Sequence, residues 1–320
     1  MHIRPIRFSR KSAAPLAALA AALALFGAQG AQAQTKITIG CTATGDCASA
    51  MVGVDAGIFA KHGLDAKMVL IGINSNIPAA IVSDSIQIGG PTTTVFLQAI
   101  DGGLDLVAVA GASRMDPVAN ESIAAVAREG TSLHEAKDFV GKKVGAPGIG
   151  AFLHVLFVKW LIDKGVDPKS VNFVEVTFPT MNDTLKSGSV DAVLTAEPFI
   201  TRITKAGTGY VGAHYAAELD RTEPIIVYAA SRAFADKNPQ AMAAFRAALD
   251  EAADIVNTDP DKANESISRF TKQPLEIVKL RRPNISAPKL TPEQLVWWLD
   301  VMQQQNLLQT KIDPGKTLLQ

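Results

Sequence analysis

Cysteine is scarce in these 320 residues: it occurs twice, at Cys41 and Cys47. Two thiols make no zinc site without two further Cys or His, and the nearest candidate is His62. Long hydrophobic runs are also missing. Residues 13–26 are apolar but fall short of the roughly 20 residues that a spanning helix needs. No Cys follows that run directly, so lipid attachment is not indicated. Basic residues are nowhere interleaved with aromatic ones, which excludes nucleic acid as a partner. The notable basic pairs, Lys142-Lys143 and Arg281-Arg282, read as solvated loop or helix-end charges. Finally, no serine, histidine and acid arrangement and no paired carboxylates can be placed together. The chain is therefore not read as an enzyme, and neither a cofactor nor a metal is expected.

What is present begins with an address. Arg4, Arg7, Arg10 and Lys11 precede the apolar run, and Ala31-Gln-Ala33 follows it. This is the order of a cleaved secretory signal peptide, predicting a mature chain from about Gln34 in a periplasm-like space. Four of the 31 Lys and Arg and none of the 31 Asp and Glu fall within residues 1–33, so the mature balance is 27 against 31, a net charge of −4. The remaining length suits two lobes of ordinary domain size, expected as a soluble monomer.

The mature chain opens on IGCTATGDCASAMVGVDAGIF at 39–59. This reads as a strand end, a small polar loop and a helix start, whose free N–H groups, with the Thr42 and Thr44 hydroxyls, could hold a small anion. Both cysteines lie in this loop. In an exported protein two thiols this close are expected to be oxidised to each other, with free thiols or a metal as the alternatives. So short a loop yields roughly 2 kcal/mol, so the bond would shape the loop more than stabilise the fold.

Strand-like runs at 36–39, 66–71, 86–89 and 106–110 alternate with helical segments at 48–62, 77–83 and 92–100. A second series follows: strands at 143–146, 171–176 and 192–195, helices at 151–164 and 180–187. Such alternation predicts mostly parallel sheets with loops gathered at one edge, where ligands bind. The runs 121–127 and 224–229 read as two crossovers between lobes. Beyond 230 the pattern is helical, with Pro or capping residues at several helix starts and Trp297 and Trp298 in the last helix, where core packing is expected.

Three stretches carry a family resemblance: VDAGIFAKHGL at 54–64, DFVGKKVGAPGIG at 138–150 and SGSVDAVLTAEPF at 187–199. With them the chain resembles the periplasmic solute-binding proteins of ABC importers related to the sulfonate, taurine and nitrate binders. The resemblance implies an α/β, type II-like, two-lobed periplasmic binding protein fold with two crossover strands and a helical C-terminal segment. Its divisions are a signal peptide at 1–33, lobe 1 at 34–121 plus 230–320, and lobe 2 at 122–229. It also implies a ligand in a hinged cleft and an ABC permease as membrane partner. The same likeness extends to thiamine-pyrimidine binding proteins and to fungal thiamine-pyrimidine synthases, but the synthases carry a cysteine-rich iron-binding motif that this chain lacks.

Gly57 and Gly63 read as structural, for tight packing and a left-handed helix end. At Gly148, Gly150 and Ala151 a side-chain-poor turn precedes a helix, and the resemblance favours ligand contact there. Arg114 could grip a carboxylate or sulfonate bidentately, or form a surface ion pair. Glu197 is either structural or marks an amine or amidine on the ligand. Thr42, Thr44, Asn74, Ser75, Thr92, Thr93 and Thr180 supply neutral polar groups, with Phe152, Phe178, His154 and Met181 as apolar walls. This mix suits a small organic anion better than a bare inorganic ion. An aminopyrimidine is the alternative. Titration of the native, unreduced protein should find no free thiol; two reactive thiols would refute the Cys41–Cys47 bond.

Overall fold

The computed structural model describes residues 1–2, 34–117, 119–280 and 285–319. Residues 3–33 of the signal peptide expected at 1–33, and the pair Arg281-Arg282, lie outside the described residues. Among the described residues no helix is long and apolar enough to cross a membrane. From Thr35 onward the chain forms one compact unit. Its strands are β1 (Thr35–Cys41), β2 (Leu64–Leu70), β3 (Ile88–Gly89), β4 (Leu106–Arg114), β5 (Ile123–Arg128), β6 (Lys143–Ala146), β7 (Asn172–Glu175), β8 (Ala192–Ala196), β9 (Gly209–Ala213), β10 (Pro224–Ser231) and β11 (Ile285–Ser286).

These strands build two sheets, one ordered β11-β4-β10-β3-β1-β2 and the other β7-β6-β8-β5-β9. In the first, β1 runs parallel to β2 and β3, and β10 runs antiparallel to β3 and β4. In the second, β6 runs parallel to β7 and β8, and β5 runs antiparallel to β8 and β9. Each sheet thus sets an antiparallel strand beside a parallel trio, with β4 and β11 beyond it in the first sheet and β9 beyond it in the second. The expected repetition of one plan is there, but the sheets are mixed rather than mostly parallel.

The two runs expected as crossovers are interior strands. Residues 123–128 form β5 within the second sheet, and 224–231 form β10 within the first, not with the second series. Both are buried along nearly their whole length. A continuously apolar strand needs cover on both faces, which the middle of a sheet supplies and an exposed connection does not. The chain passes between the sheets in residues 115–122 and 214–223 instead. β9 and β11 were not anticipated, the former because its GYVGA sequence is rich in glycine and alternates weakly.

The helix expected over 48–62 is broken into Ala48–Asp55 and Ile58–Lys61 by Gly57, whose φ of 68° lies in the left-handed region. A Cβ at Gly57 would meet nothing within 4 Å, so this glycine serves the backbone turn, not close packing. Close packing falls on Gly53, where a Cβ would lie 2.6 Å from Phe59.

Helix Pro239–Thr258 covers the first sheet, stacking Phe245 on Phe59 at 5.3 Å and edge-on to Tyr228 at 5.5 Å. The Tyr228 hydroxyl, fully buried, accepts the Ala50 N–H at 3.2 Å and shares a hydrogen bond with Ser49 Oγ. In the C-terminal helix Glu293–Gln304, Trp298 is fully buried and donates Nε1–H to Pro224 O at 2.9 Å. Trp297 is half-buried beneath the Arg221 guanidinium, 4.7 Å from its ring centre. Tyr228→Phe leaves the buried Ala50 N–H without its acceptor. Its urea unfolding midpoint should fall by the equivalent of about 1–2 kcal/mol with the slope unchanged.

Candidate ligand-binding cleft

The carboxyl ends of parallel strands from both sheets converge on one cavity of about 60 Å³. Thr42 and Thr44 follow β1, Thr92 follows β3, and Arg114 ends β4; Pro147 follows β6, Ala196 ends β8 and Glu197 follows it. The antiparallel strands enter at their amino ends, with Ile123 of β5 and Ile225 and Ile226 of β10. This is the crevice in which open α/β sheets bind ligands.

On the first-sheet side, the Cys41–Cys47 disulfide closes the opening loop. It packs against Gly90, where a Cβ would sit within 2.8 Å of both sulfurs. Inside the loop, Thr44 Oγ1 donates to Asp46 Oδ2 at 2.6 Å and Ser113 Oγ donates to Asp46 Oδ1 at 3.0 Å. The following helix gives one of its early N–H groups, that of Ala50, to Tyr228. Asn74 Oδ1 accepts the Thr92 N–H at 2.9 Å, and Thr92 Oγ1 accepts the Val95 N–H, capping helix Thr93–Asp101. Arg114 donates through Nη1 to Met115 O at 3.3 Å.

On the second-sheet side, helix Phe152–Asp163 begins at the cleft with Ala151 as its N-cap and no side-chain cap. Its first-turn amides, at Phe152 and Leu153, have no carbonyl to meet within the helix. Gly150 is different, with φ 75°. Its N–H donates to His154 Nδ1 at 3.2 Å and its carbonyl accepts Gln98 Nε2 at 2.7 Å. Glu197 Oε2 accepts the Thr201 N–H at 3.1 Å, and Oε1 accepts the Thr201 hydroxyl at 2.9 Å. Phe152 is backed by Trp298, edge to face at 5.7 Å, and Phe178 is stacked on Phe199 at 5.3 Å.

Of the residues singled out in the sequence, Thr42, Thr44, Asn74, Thr92, Arg114, Ala151, Phe152, Phe178 and Glu197 line this cavity. Ser75 instead donates to Glu175 at 3.3 Å, and Thr93 donates to Pro224 O at 2.8 Å. Thr180 is exposed and paired with Thr177, while Met181 is wholly buried. Gly150 has spent both its polar groups. Asp46, Asn120 and Ser122 also line the cavity and carried no signal in the sequence. Asn120 is held by the Asp116 N–H and by Arg221 O, within the two crossings at 115–122 and 214–223. Its place depends on topology, not local pattern.

Several bonds join the two sides. Asn74 N–H reaches Pro147 O at 3.4 Å, Gln98 reaches Gly150, and Gln305 Nε2 donates to Val155 O at 2.9 Å.

A model of the NMT1-like family matches residues 30–270. The nitrate/nitrite binding protein NrtA of Synechococcus elongatus is 24% identical over 277 residues, covering 77% of this chain and 61% of that protein. The chain therefore spans less than two thirds of that relative's length. Among solved structures, the alkanesulfonate-binding protein SsuA of Xanthomonas axonopodis pv. citri, bound to MOPS, superposes with a TM-score of 0.74. It is 16% identical, covering 89% of this chain and 98% of that one. The nitrate-binding protein NrtA of Synechocystis PCC 6803 gives a TM-score of 0.72 at 15% identity, covering 88% and 84%. At such identities the likeness is one of fold, and it is the α/β periplasmic binding protein fold that the resemblance implied.

His154 stands behind the cleft as a packing group. It is buried, edge-on to Phe173 at 4.5 Å, and burial pulls its pKa down to about 4. A neutral ring keeps Nδ1 as the acceptor for the Gly150 N–H. The unfolded pKa is about 6.5, so the stability tied to this neutral ring is complete above that pH and is lost as pH falls through 6.5 toward 4. The loss should amount to about 3 kcal/mol. Urea unfolding from pH 7 to pH 4 checks it: the wild type should lose stability faster than His154→Leu, and identical slopes would contradict the assignment.

Proposed function

Because the chain belongs to the NMT1-like family, we propose that it is the extracytoplasmic solute-binding component of an ABC importer, holding a small organic anion between its two sheets. The observation that carries this reading is the composition of the cleft. Arg114 ends one sheet's strand and the uncapped start of helix Phe152–Asp163 comes from the other side, so cation and amides line one small cavity. A guanidinium fork pairs with a planar acid in two parallel bonds, and helix N-termini favour negative charge. The apolar side chains around them suit a carbon body. The names of the similar proteins, binders of nitrate and of alkanesulfonates, support the same class of ligand.

The lobe assignment belongs to this reading. One lobe centres on the first sheet and the other on the second, and the crossings at 115–122 and 214–223 act as the hinge about which they close. The protein works as a periplasmic monomer after signal cleavage and hands its ligand to a membrane permease. Its task needs no reaction: hydrogen bonds and charge hold the solute, and opening releases it.

A second reading has its own observation. Asp46 and Glu197 place carboxylates on the same cavity, which suits an amine or aminopyrimidine. A thermal-shift screen of sulfonates, carboxylates, nitrate and aminopyrimidines separates the two, since ligand at 100 times Kd adds about 2.7 kcal/mol. Acids should raise the melting temperature, and Arg114→Ala should weaken their binding by about 10- to 100-fold, the worth of a charged hydrogen-bonded pair. A shift with aminopyrimidines alone, abolished by Glu197→Gln, would install the second reading. No shift with any of these solutes would overturn both.

A further inference from the structure

The cavity's apolar wall is built more elaborately than a bare anion requires. From the second-sheet side come Phe152, Leu153 and Phe178, and from the first Ile225 and Ile226. The two phenylalanines are not loose surface groups. Phe152 has Trp298 against it at 5.7 Å, and that indole is tied in turn by its Nε1–H to Pro224 O. Phe178 lies nearly parallel to Phe199, with 23° between the planes. All four rings are buried. Each phenylalanine at the cleft therefore packs against a second buried ring, which leaves it little rotamer freedom to lose on binding.

We infer that the ligand is an aryl acid: a carboxylate or sulfonate at Arg114 carried on a flat aromatic body seated against Phe152 and Phe178. The inference rests on the reading of the cleft as an anion site and specifies what the anion is attached to. Aromatic pairs favour offset-stacked or edge-to-face contact with centroids 4.5–7 Å apart, and two braced rings offer such faces. Nitrate or a methyl-bodied acid would fill the polar end and leave the apolar wall without a partner. A ring removes that wall and itself from water, where apolar burial contributes about 25 cal/mol per Å². The neighbouring carboxylates do not oppose this placement by standing bare. Asp46 is bonded by Thr44 and Ser113, and Glu197 by Thr201.

Calorimetric titration of the exported chain with matched pairs tests the inference: benzoate against acetate, benzenesulfonate against methanesulfonate, with nitrate and aniline beside them. Each aryl acid should bind at least about tenfold more tightly than its methyl partner, in keeping with burial of one ring face. Phe178→Ala should shrink that ratio toward unity, weakening each aryl acid more than its methyl partner. Phe178→Leu, which keeps bulk and removes the ring, should shrink it too, and covers the case in which the alanine variant fails to fold. Methyl acids or nitrate binding as tightly as the aryl acids would overturn the aryl body while leaving the anion site standing. A ratio unchanged in both variants would overturn the role of Phe178. Aniline binding in place of benzoate would overturn the acid itself, and with it the anion reading of the cleft.

Discussion

The first sheet depends on a strand, β10, that the chain supplies only after it has passed through every strand of the second. β4 and β3 are both neighbours of β10, which arrives 110 residues after β4 ends, and without it the order β4-β10-β3 falls into two pieces. β10 meets β4 over Pro224 to Ser231, and its centre is fully buried. The second sheet is different: its strands β5 to β9 are contiguous in the chain, and β5 receives β8 and β9 on its two sides. Insertion of the whole second sheet between β4 and β10 of the first forces two chain crossings. They also bring the amino ends of β5 and β10 to the same place as the carboxyl ends of the parallel strands, and that place is the cleft.

On this frame the aromatic residues do two jobs. Phe59, Tyr228 and Phe245 join the opening helix to the first sheet and to helix Pro239–Thr258, and the Tyr228 hydroxyl satisfies the helix's own early N–H. Trp298 reaches from the C-terminal helix to Phe152 and to Pro224, so the helical tail braces the cleft wall as well as the core. The disulfide acts on a smaller scale. It closes the loop that carries Thr42, Thr44 and Asp46, against a glycine that leaves room for both sulfurs.

Much of this was legible before any coordinates, and the exceptions have physical causes. The βα alternation marked the parallel trios because a buried strand and an amphipathic helix have different periods. The loops after β1, β3 and β4 follow from the same pattern, and the cysteine pairing from the closeness of two thiols in a chain read as exported. The fate of β10 did not, because its apolar run fits a crossover and a central strand equally well, and only hydrogen-bond partners far along the chain decide between them. Gly150 looked like a ligand donor, but its N–H belongs to His154, four residues on, and its carbonyl to Gln98, 52 residues back. Thr93 was grouped with its neighbour Thr92, yet the helix turns its hydroxyl onto Pro224. Asn120 and Ser122 lie in a crossing, where no periodicity operates at all.

The proposed function requires two lobes that close on a solute about the crossings at 115–122 and 214–223. Small-angle scattering of the protein, with and without the acid that most raises its melting temperature, tests that motion directly. The radius of gyration should decrease on saturation, as a hinged pair of lobes requires. An unchanged radius and scattering profile at saturating ligand would contradict closure, and with it the proposed way of holding and releasing the solute.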